Sequence, residues 1–147
     1  MQIQLSQFFI RNLQFDQIPN PADATGNENE FEFGFVASFY SQRNRDFFVE
    51  FHITLQSQKD FICKFSYVFL FATDDDITLD FIKSPFPIIN APAIAFPYIR
   101  TFVSNLSLNA GYPPIILPSV NFLQIEDEKR TVYLDGALVE SVKLISK

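Results

Sequence analysis

The chain has 147 residues, a formal net charge of −6 at pH 7, nineteen Phe, five Tyr, no Trp and only four Gly. This length predicts one domain, large enough to bury about two-thirds of the surface of its unfolded chain. The acidic balance argues against nucleic-acid binding, and the single cysteine, Cys63, excludes an intramolecular disulfide and fits a reducing compartment.

The beginning of the chain does not resemble an export signal. Met1 to Phe15 alternates polar and apolar residues and has neither a basic region nor a continuous apolar stretch. No run approaches the roughly 18 apolar residues of a membrane span. The sequence therefore predicts a cytoplasmic protein that does not insert into a membrane.

Period-two alternation predicts three long strands in the first half of the chain. The odd positions are apolar from Glu30 to Tyr40, from Phe47 to Ser57 and from Phe61 to Phe71, with polar residues between them. An earlier strand runs from about Gln2 to Phe15 and is broken at Pro19-Asn20-Pro21. Because short polar turns join the later strands, we expect four antiparallel strands in sequence.

The next segment predicts a crossover loop. Ile77 to Ile89 is apolar but is interrupted by Pro85 and Pro87, so it can be neither a continuous helix nor a central strand. It is expected to lie over apolar surface.

A helix is predicted after this loop. Asn90 could cap it with Pro92 in the first turn, whereas Pro97 implies a kink or a later start. Helical spacing of apolar residues continues to Gly111, where the helix should end. The predicted fold is α+β, with a four-stranded antiparallel sheet and the crossover loop and helix packed on one face.

The end of the chain is ambiguous. Leu123 to Arg130 suits a short helix, and Thr131 to Ile145 suits a hairpin turning at Asp135-Gly136. A last helix is equally compatible with Leu138, Val142 and Ile145. We therefore expect residues 1–147 to form a single domain, with a tail from about residue 123 whose structure stays open.

Catalytic and metal-binding patterns are weak in this sequence. His52, the single histidine, lies on the polar face of a predicted strand, and Cys63 alternates with Phe residues on the apolar face. The run Asp74-Asp75-Asp76 lacks the spacing of a calcium loop and is more typical of a turn. With no glycine-rich phosphate loop, cysteine pair or HExxH motif, we predict no enzyme, no metal and no cofactor.

Apolar side chains exceed what one four-stranded sheet and one helix can cover, so part of them should contact other molecules. The helix carries a wide apolar arc that is expected to form an oligomer interface: Ile99, Phe102, Val103 and Leu106. The set expected to bind apolar partner segments is Phe81, Ile82, Phe86, Ile88, Ile89, Phe96, Tyr98 and Phe122.

The helix region also resembles the SecB family of export chaperones. The family helix opens with Phe-Pro-Tyr-x-Arg, as the segment Phe96-Pro97-Tyr98-Ile99-Arg100 does here. The family's following loop closes on Pro-Val-Asn-Phe, and this chain has the ending Val120-Asn121-Phe122. The first strand and its exit at Pro19-Asn20 are similar as well, so the resemblance runs from about residue 2 to residue 122.

This resemblance implies a function and an assembly. It implies a homotetramer built as a dimer of dimers, with the sheets outside and the helices between them. It also implies an ATP-independent holdase that keeps unfolded precursors in grooves lined by the crossover loop, the helix and the sheet. Family members pass these clients to the SecA motor.

Two departures from the family pattern affect the expected partner. The family's acidic motor-docking patch falls here on Asn12, Asp16, Ile62 and Lys64, of which only Asp16 is acidic. The family's second helix is not evident in Leu123 to Lys147. The resemblance therefore implies a SecB-like relative, for instance a chaperone of a toxin-antitoxin pair or a divergent export factor, with SecA or an antitoxin as partner.

Two alternatives remain open from the residues themselves. The aromatic sheet face could be the pocket of a carrier of small hydrophobic ligands, or the chain could be an interaction protein without unfolded clients. A ligand carrier should be monomeric with one enclosed cavity, whereas a holdase should be oligomeric with long open grooves.

Overall fold

The computed structural model describes residues 1–20, 28–58 and 60–139. A π turn, Phe86–Asn90, precedes the long helix, and two 3₁₀ turns, Phe122–Gln124 and Asp127–Lys129, precede the fifth strand. The main elements in chain order are β1 (Ile3–Gln17), β2 (Glu30–Tyr40), β3 (Arg43–Ser57), β4 (Phe61–Thr73), α1 (Leu79–Ile82), α2 (Ala91–Asn109), β5 (Arg130–Leu134) and β6 (Ala137–Val139).

These strands form one mixed sheet of six strands in the order β1-β4-β3-β2-β5-β6. Neighbouring strands are antiparallel except for β2 and β5, which are parallel. The predicted α+β class is correct, but the prediction of four antiparallel strands in sequence is wrong. The connection between β1 and β2 is long enough for β1 to lie beside β4 instead of beside β2. β5 can run parallel to β2 because the crossover and α2 separate the two strands in the chain.

The alternation seen in the sequence determines the core. The odd-numbered apolar residues of β2, β3 and β4 face α2 and the crossover, which is the segment of residues 77–90 between β4 and α2. Their side chains are almost fully buried except for Phe31 and Phe33, which are half-buried. Phe51 is at the centre of this aromatic layer. We call this the helix side of the sheet and the opposite surface the outer face.

α2 covers the middle of the helix side. It begins at Ala91 with Pro92 in its first turn, as predicted, and runs through Pro97, so the alternative of a later start is wrong. The side chain of Asn90 makes no capping hydrogen bond, because the π turn already holds its backbone in helical geometry and leads directly into α2. Within the described residues, no helix combines the length and the hydropathy needed to cross a membrane.

The helix ends as predicted, and a buried serine fixes its exit. Gly111 has a φ of +97°, the left-handed conformation that glycine adopts at low cost after a helix. The Ser107 hydroxyl donates to the carbonyl of Val103 at 2.8 Å and accepts the amide of Ile115 at 2.9 Å. Ser107 therefore joins the last turn of α2 to the segment that follows it.

The tail joins the sheet as a hairpin. β5 and β6 turn at Asp135 and Gly136, which both have positive φ, so the predicted hairpin turn is confirmed for this part. The Asp135 carboxylate accepts the amide of Ser41 at 2.9 Å and its hydroxyl, and these bonds lower the pKa of Asp135. The short helix expected before Arg130 is replaced by the two 3₁₀ turns. Val142 and Ile145 of the alternative last helix lie outside the described residues.

Candidate interaction surface

An exposed apolar surface lies where α2 meets the edge strand β1. Phe8 is 45% exposed and Tyr98 is 42% exposed, and their ring centroids are 4.7 Å apart. Phe8 also contacts the rings of Tyr67 and Phe69, whose strand β4 is the neighbour of β1. The contact between Phe8 and Tyr98 therefore joins the edge of the sheet to the helix.

This surface continues along both elements. On α2, Ile94, Tyr98 and Phe102 are four residues apart and lie on the side of the helix that faces β1. Phe102 contacts Phe65, and Phe65 pairs with the exposed Leu13 of β1. We define the apolar strip as Phe8, Leu13, Ile94, Tyr98 and Phe102.

Beyond Leu13 the apolar surface extends to Phe15, which is half-buried against Phe61 and Tyr112. From Phe8 to Phe15 a strand advances about 23 Å. This length suits an extended peptide segment better than a compact small molecule.

The strip lies beside an open sheet edge. Among the described residues, β1 pairs with β4 alone, so one side of its 15 residues has no strand partner. Its register with β4 shifts between Leu5 and Gln7 and again between Arg11 and Leu13, where Asn12 has a φ of +59°. Such bulges weaken uncontrolled strand addition but leave the edge available for specific pairing.

Most residues predicted to bind apolar segments are instead part of the core. Phe81, Ile82, Ile88, Phe96 and Phe122 are each at most 6% exposed, because the crossover and the turn before β5 fold down onto the sheet. Phe86 stacks on Phe81 and is half-buried, as is Ile89. Tyr98 alone of the eight is clearly exposed.

Of the four residues predicted to form the oligomer interface, two are buried in the core and two are half-buried. Ile99 and Val103 are 0% exposed within a single chain, because they point directly at the sheet. They cannot reach a second chain in this arrangement, which corrects the expectation for these two. Phe102 and Leu106 flank them and are half-buried.

Several exposed apolar residues were missed by the sequence analysis. On β1 they are Phe8, Phe9 and Leu13, and beyond α2 the most exposed is Ile116, at 78%. The adjacent pair Phe8-Phe9 breaks the polar-apolar alternation of β1, and this was the available signal. One of the two rings must then face each side of the sheet.

The outer face holds the residues predicted to dock a partner. Asp16 pairs with Ile62, and Gln14 pairs with Lys64, so Asp16, Ile62 and Lys64 share this face. Asn12 is the bulge residue beside them, in a depression of about 370 Å³ that also contains His52 and Lys64. The structure thus brings the four predicted residues into one region of the surface.

The groups considered for catalysis have other roles. The same nitrogen of His52, Nδ1, lies 3.0 Å from the Ser66 hydroxyl and 3.9 Å from the Glu50 carboxylate, so the three do not form a proton relay that uses both ring nitrogens. Burial raises the pKa of the Cys63 thiol to about 11, which keeps it protonated and unreactive at neutral pH.

The acidic run also serves structure. Asp74 accepts the amide of Gln2 at 2.8 Å, and Asp76 pairs with Arg45 at 2.8 Å. Within the part of the chain that the structure describes, no group of three or more His, Cys, Asp or Glu side chains could hold a metal ion. The aromatic sheet face, considered as a ligand pocket, is filled by α2 and the crossover.

Comparison with protein families finds one family model, described as preprotein translocase subunit SecB, which matches residues 1–131. The protein-export protein SecB of Anaplasma phagocytophilum is 31% identical over 78 residues, which are 52% of this chain and 49% of that protein. An uncharacterized protein of Methanocaldococcus jannaschii, MJ0357, is 52% identical over 33 residues, 22% of this chain and 21% of that one. The matched region spans half or less of the length of these relatives.

Two solved structures have a similar fold. The Mycobacterium tuberculosis Rv1957 SecB-like chaperone, solved in complex with a ChAD peptide from the Rv1956 HigA1 antitoxin, has a TM-score of 0.64 and 22% identity, covering 80% of this chain and 90% of that one. A Streptococcus agalactiae protein of unknown function has a TM-score of 0.50 and 13% identity, covering 81% and 98%.

Proposed function

The chain belongs to the SecB family, and we propose that it is an ATP-independent holdase chaperone that binds unfolded polypeptides, such as preproteins or an antitoxin. The observation that carries this proposal is the apolar strip beside an open strand edge. A segment lying along it could bury apolar side chains against the strip while its backbone gains hydrogen bonds that depend little on sequence. Both features favour unfolded clients of many sequences.

The contact energies are of the right size for a holdase. Full burial of a large apolar side chain contributes about 1.5–3 kcal/mol, and the strip residues are already partly covered, so each contributes roughly half of that. The five strip residues together contribute roughly 4–7.5 kcal/mol, and burial of the client's own side chains adds to this while the cost of ordering the client reduces it, so dissociation constants between about millimolar and about micromolar are expected. A chaperone that must release its client needs this intermediate affinity.

The double substitution Phe8→Ser and Tyr98→Ser should weaken client binding by about 10–100-fold, because it removes roughly 1.5–3 kcal/mol of apolar contact. The measurement is calorimetry without nucleotide, using a permanently unfolded protein and the folded form of the same protein.

The matched control is Phe9→Ser, since Phe9 is 47% exposed on the same strand but pairs with Val68 on the outer face. Equal loss of affinity in the control, or equal binding of the folded and unfolded proteins, would contradict the proposal. The result would then favour an interaction protein without unfolded clients.

We also propose that the chain assembles into a homotetramer built as a dimer of dimers. Two separate surfaces support this: the open edge of β1, and the far side of α2 with the exposed Leu108 and Ile116. Two different self-complementary interfaces generate a closed tetramer with D₂ symmetry. Pairing of two β1 edges would place two apolar strips side by side and lengthen the client surface. A client would then be held mainly by the strips and would gain backbone hydrogen bonds only from edge residues that the β1 pairing leaves free.

The substitutions Leu108→Glu and Ile116→Glu should halve the mass measured by light scattering, because each would place a charge in the second interface. Neither should affect the fold of one chain, since both side chains are more than half exposed. Leu79→Glu, at a similarly exposed site on the crossover, should leave the mass unchanged. A monomer at micromolar concentration before any substitution would overturn the assembly.

The charge of Lys64 and the single cysteine support a proposal for the partner and for the compartment. Lys64 places a positive charge in the region where relatives are acidic, so we expect a preprotein or an antitoxin as partner and only weak direct coupling to SecA. A tight complex in a direct titration with SecA would refute this.

The single buried cysteine suits the reducing cytoplasm, where we place the protein.

A further inference from the structure

We propose that the outer face of the sheet docks an acidic peptide segment of a partner protein at Lys64, in the depression that the β1 bulge opens. This interaction goes beyond the holdase function. It uses the surface opposite the apolar strip, and it does not require the partner to be unfolded.

The bulge creates the depression. Because Asn12 is the extra residue between Arg11 and Leu13 in the register with β4, it adopts a left-handed conformation and leaves a gap in the regular pairing of the two strands. The resulting depression has a volume of about 370 Å³, room for a carboxylate side chain. Its polar lining consists of Asn12, Gln14, His52, Thr54, Lys64 and Ser66.

Lys64 is the available charge in this depression. It is exposed and makes no ion pair with any residue in the described ranges. By contrast, Arg11 is paired with Glu50 at 2.8 Å, so that neighbouring cation is already neutralised. A carboxylate brought to Lys64 would gain attraction without having to displace an existing partner.

The one carboxylate on the adjoining stretch of β1 already has a partner. Asp16 accepts a hydrogen bond from the side-chain amide of Gln14 at 2.9 Å, and among the described residues it makes no ion pair with Lys64. Other polar side chains of the depression supply hydrogen-bond donors: the amide of Asn12 and the hydroxyl of Thr54. Several donors around one cation form a site for a carboxylate.

A peptide fits this site better than a free small anion. The depression is open to solvent, and one exposed ion pair contributes at most about 1 kcal/mol, too little to hold a small anion at physiological concentration. Ile62, exposed on the same face, can contact an apolar residue next to the acidic one. We therefore expect acidic and apolar residues close together in the partner segment.

The test uses fluorescence anisotropy with a labelled, unstructured peptide of Glu, Leu, Ser and Gly. Two matched peptides carry Gln or Lys in place of every Glu. We expect the Glu peptide to bind most tightly and the Lys peptide least. Lys64→Gln should weaken binding of the Glu peptide about three- to fivefold at low salt, with a smaller effect at about 0.15 M salt because exposed charges are screened.

The matched control is Lys83→Gln, which removes an exposed lysine that also has no ion pair among the described residues but lies on the crossover. It should change the affinity little. Lys64→Glu should reverse the preference in favour of the Lys peptide.

Equal affinity for the Glu and Gln peptides, or an equal effect of the two lysine substitutions, would overturn the proposal. Competition by free glutamate as strong as by the peptide would also overturn it, because the site would then be one for small anions. Phe8→Ser and Tyr98→Ser should leave this binding intact, so its failure and the failure of the holdase function are distinguishable.

Discussion

Replacing Phe51 by Ala should lower the free energy of unfolding by about 3–5 kcal/mol, since this is the cost of removing a fully buried Phe. Phe51 is 0% exposed on the central strand β3. Its ring contacts aromatic rings from four other parts of the structure, with centroid distances of 5.2 to 6.5 Å: Phe33 and Phe35 of β2, Phe69 of β4, Phe96 of α2 and Phe122 of the turn before β5.

Because these contacts join the first strands to the helix and the tail, the cavity cannot close by the movement of one element. A loss of this size is a large fraction of the roughly 5–15 kcal/mol that stabilises a typical domain. Equilibrium urea denaturation followed by tyrosine fluorescence or circular dichroism measures it.

Phe48 provides the matched control, because it lies on the same strand but on the outer face and is half-buried. Phe48→Ala should cost less than about 1.5 kcal/mol. If both substitutions cost the same, the helix side would not be the core of the molecule.

The strands could be predicted from the sequence because their apolar alternation is unbroken. The odd-numbered side chains of the ranges 35–39, 47–55 and 61–71 are all buried. β2 has the predicted bounds and β4 extends two residues beyond them, but β3 begins at Arg43 instead of Phe47, because the chain turns at residues 41–42 alone. The order of the strands could not be predicted in the same way. Alternation identifies which face of β1 is apolar but does not identify its neighbour, and the parallel pairing of β5 with β2 depends on contacts distant in sequence.

The candidate surface was harder to predict than the fold. Apolar residues of the crossover, such as Phe81 and Ile88, look the same in the sequence whether they fill the core or face a groove. Their burial depends on how the segment folds down onto Phe39 and Phe47. The exposure of Phe8 likewise follows from the position of β1 at the sheet edge, where α2 covers it only in part through Tyr98. By contrast, the sequence indicates the face of Lys64, because Phe61, Cys63 and Phe65 alternate with exposed residues at this end of β4.

A buried arginine connects the tail to the rest of the chain. The side chain of Arg130 is 1% exposed, and its guanidinium donates to the buried carbonyl of Phe122 at 2.9 Å and to the Asp127 carboxylate at 3.2 Å. Arg130 begins β5 and pairs with Phe35 of β2. One side chain therefore holds the turn before β5 in place while its backbone holds β5 against the sheet.

Two opposing effects decide the result of removing this arginine. Its burial costs desolvation energy, and a hydrophobic replacement of a buried ion pair is often neutral when both partners are replaced. Here only one partner would be replaced. The Phe122 carbonyl would stay buried without a donor, at a cost of about 1–3 kcal/mol, and a charge-assisted hydrogen bond contributes a further 1.5–3 kcal/mol or so. The losses therefore exceed the relief of desolvation.

We expect Arg130→Met to lower the free energy of unfolding by about 2–4 kcal/mol, and Arg130→Lys to restore little of it, because an ammonium cannot reach the carbonyl and the carboxylate with the fork geometry of arginine. Asp127→Asn should cost less than about 1 kcal/mol, since Asp127 is 42% exposed and water can replace its bond. Urea denaturation measures all three, and hydrogen exchange of the β5 amides should become faster in Arg130→Met than in Asp127→Asn. If Arg130→Met were as stable as the unsubstituted chain, its desolvation cost would outweigh its hydrogen bonds, and Arg130 would not be what holds the tail on the sheet.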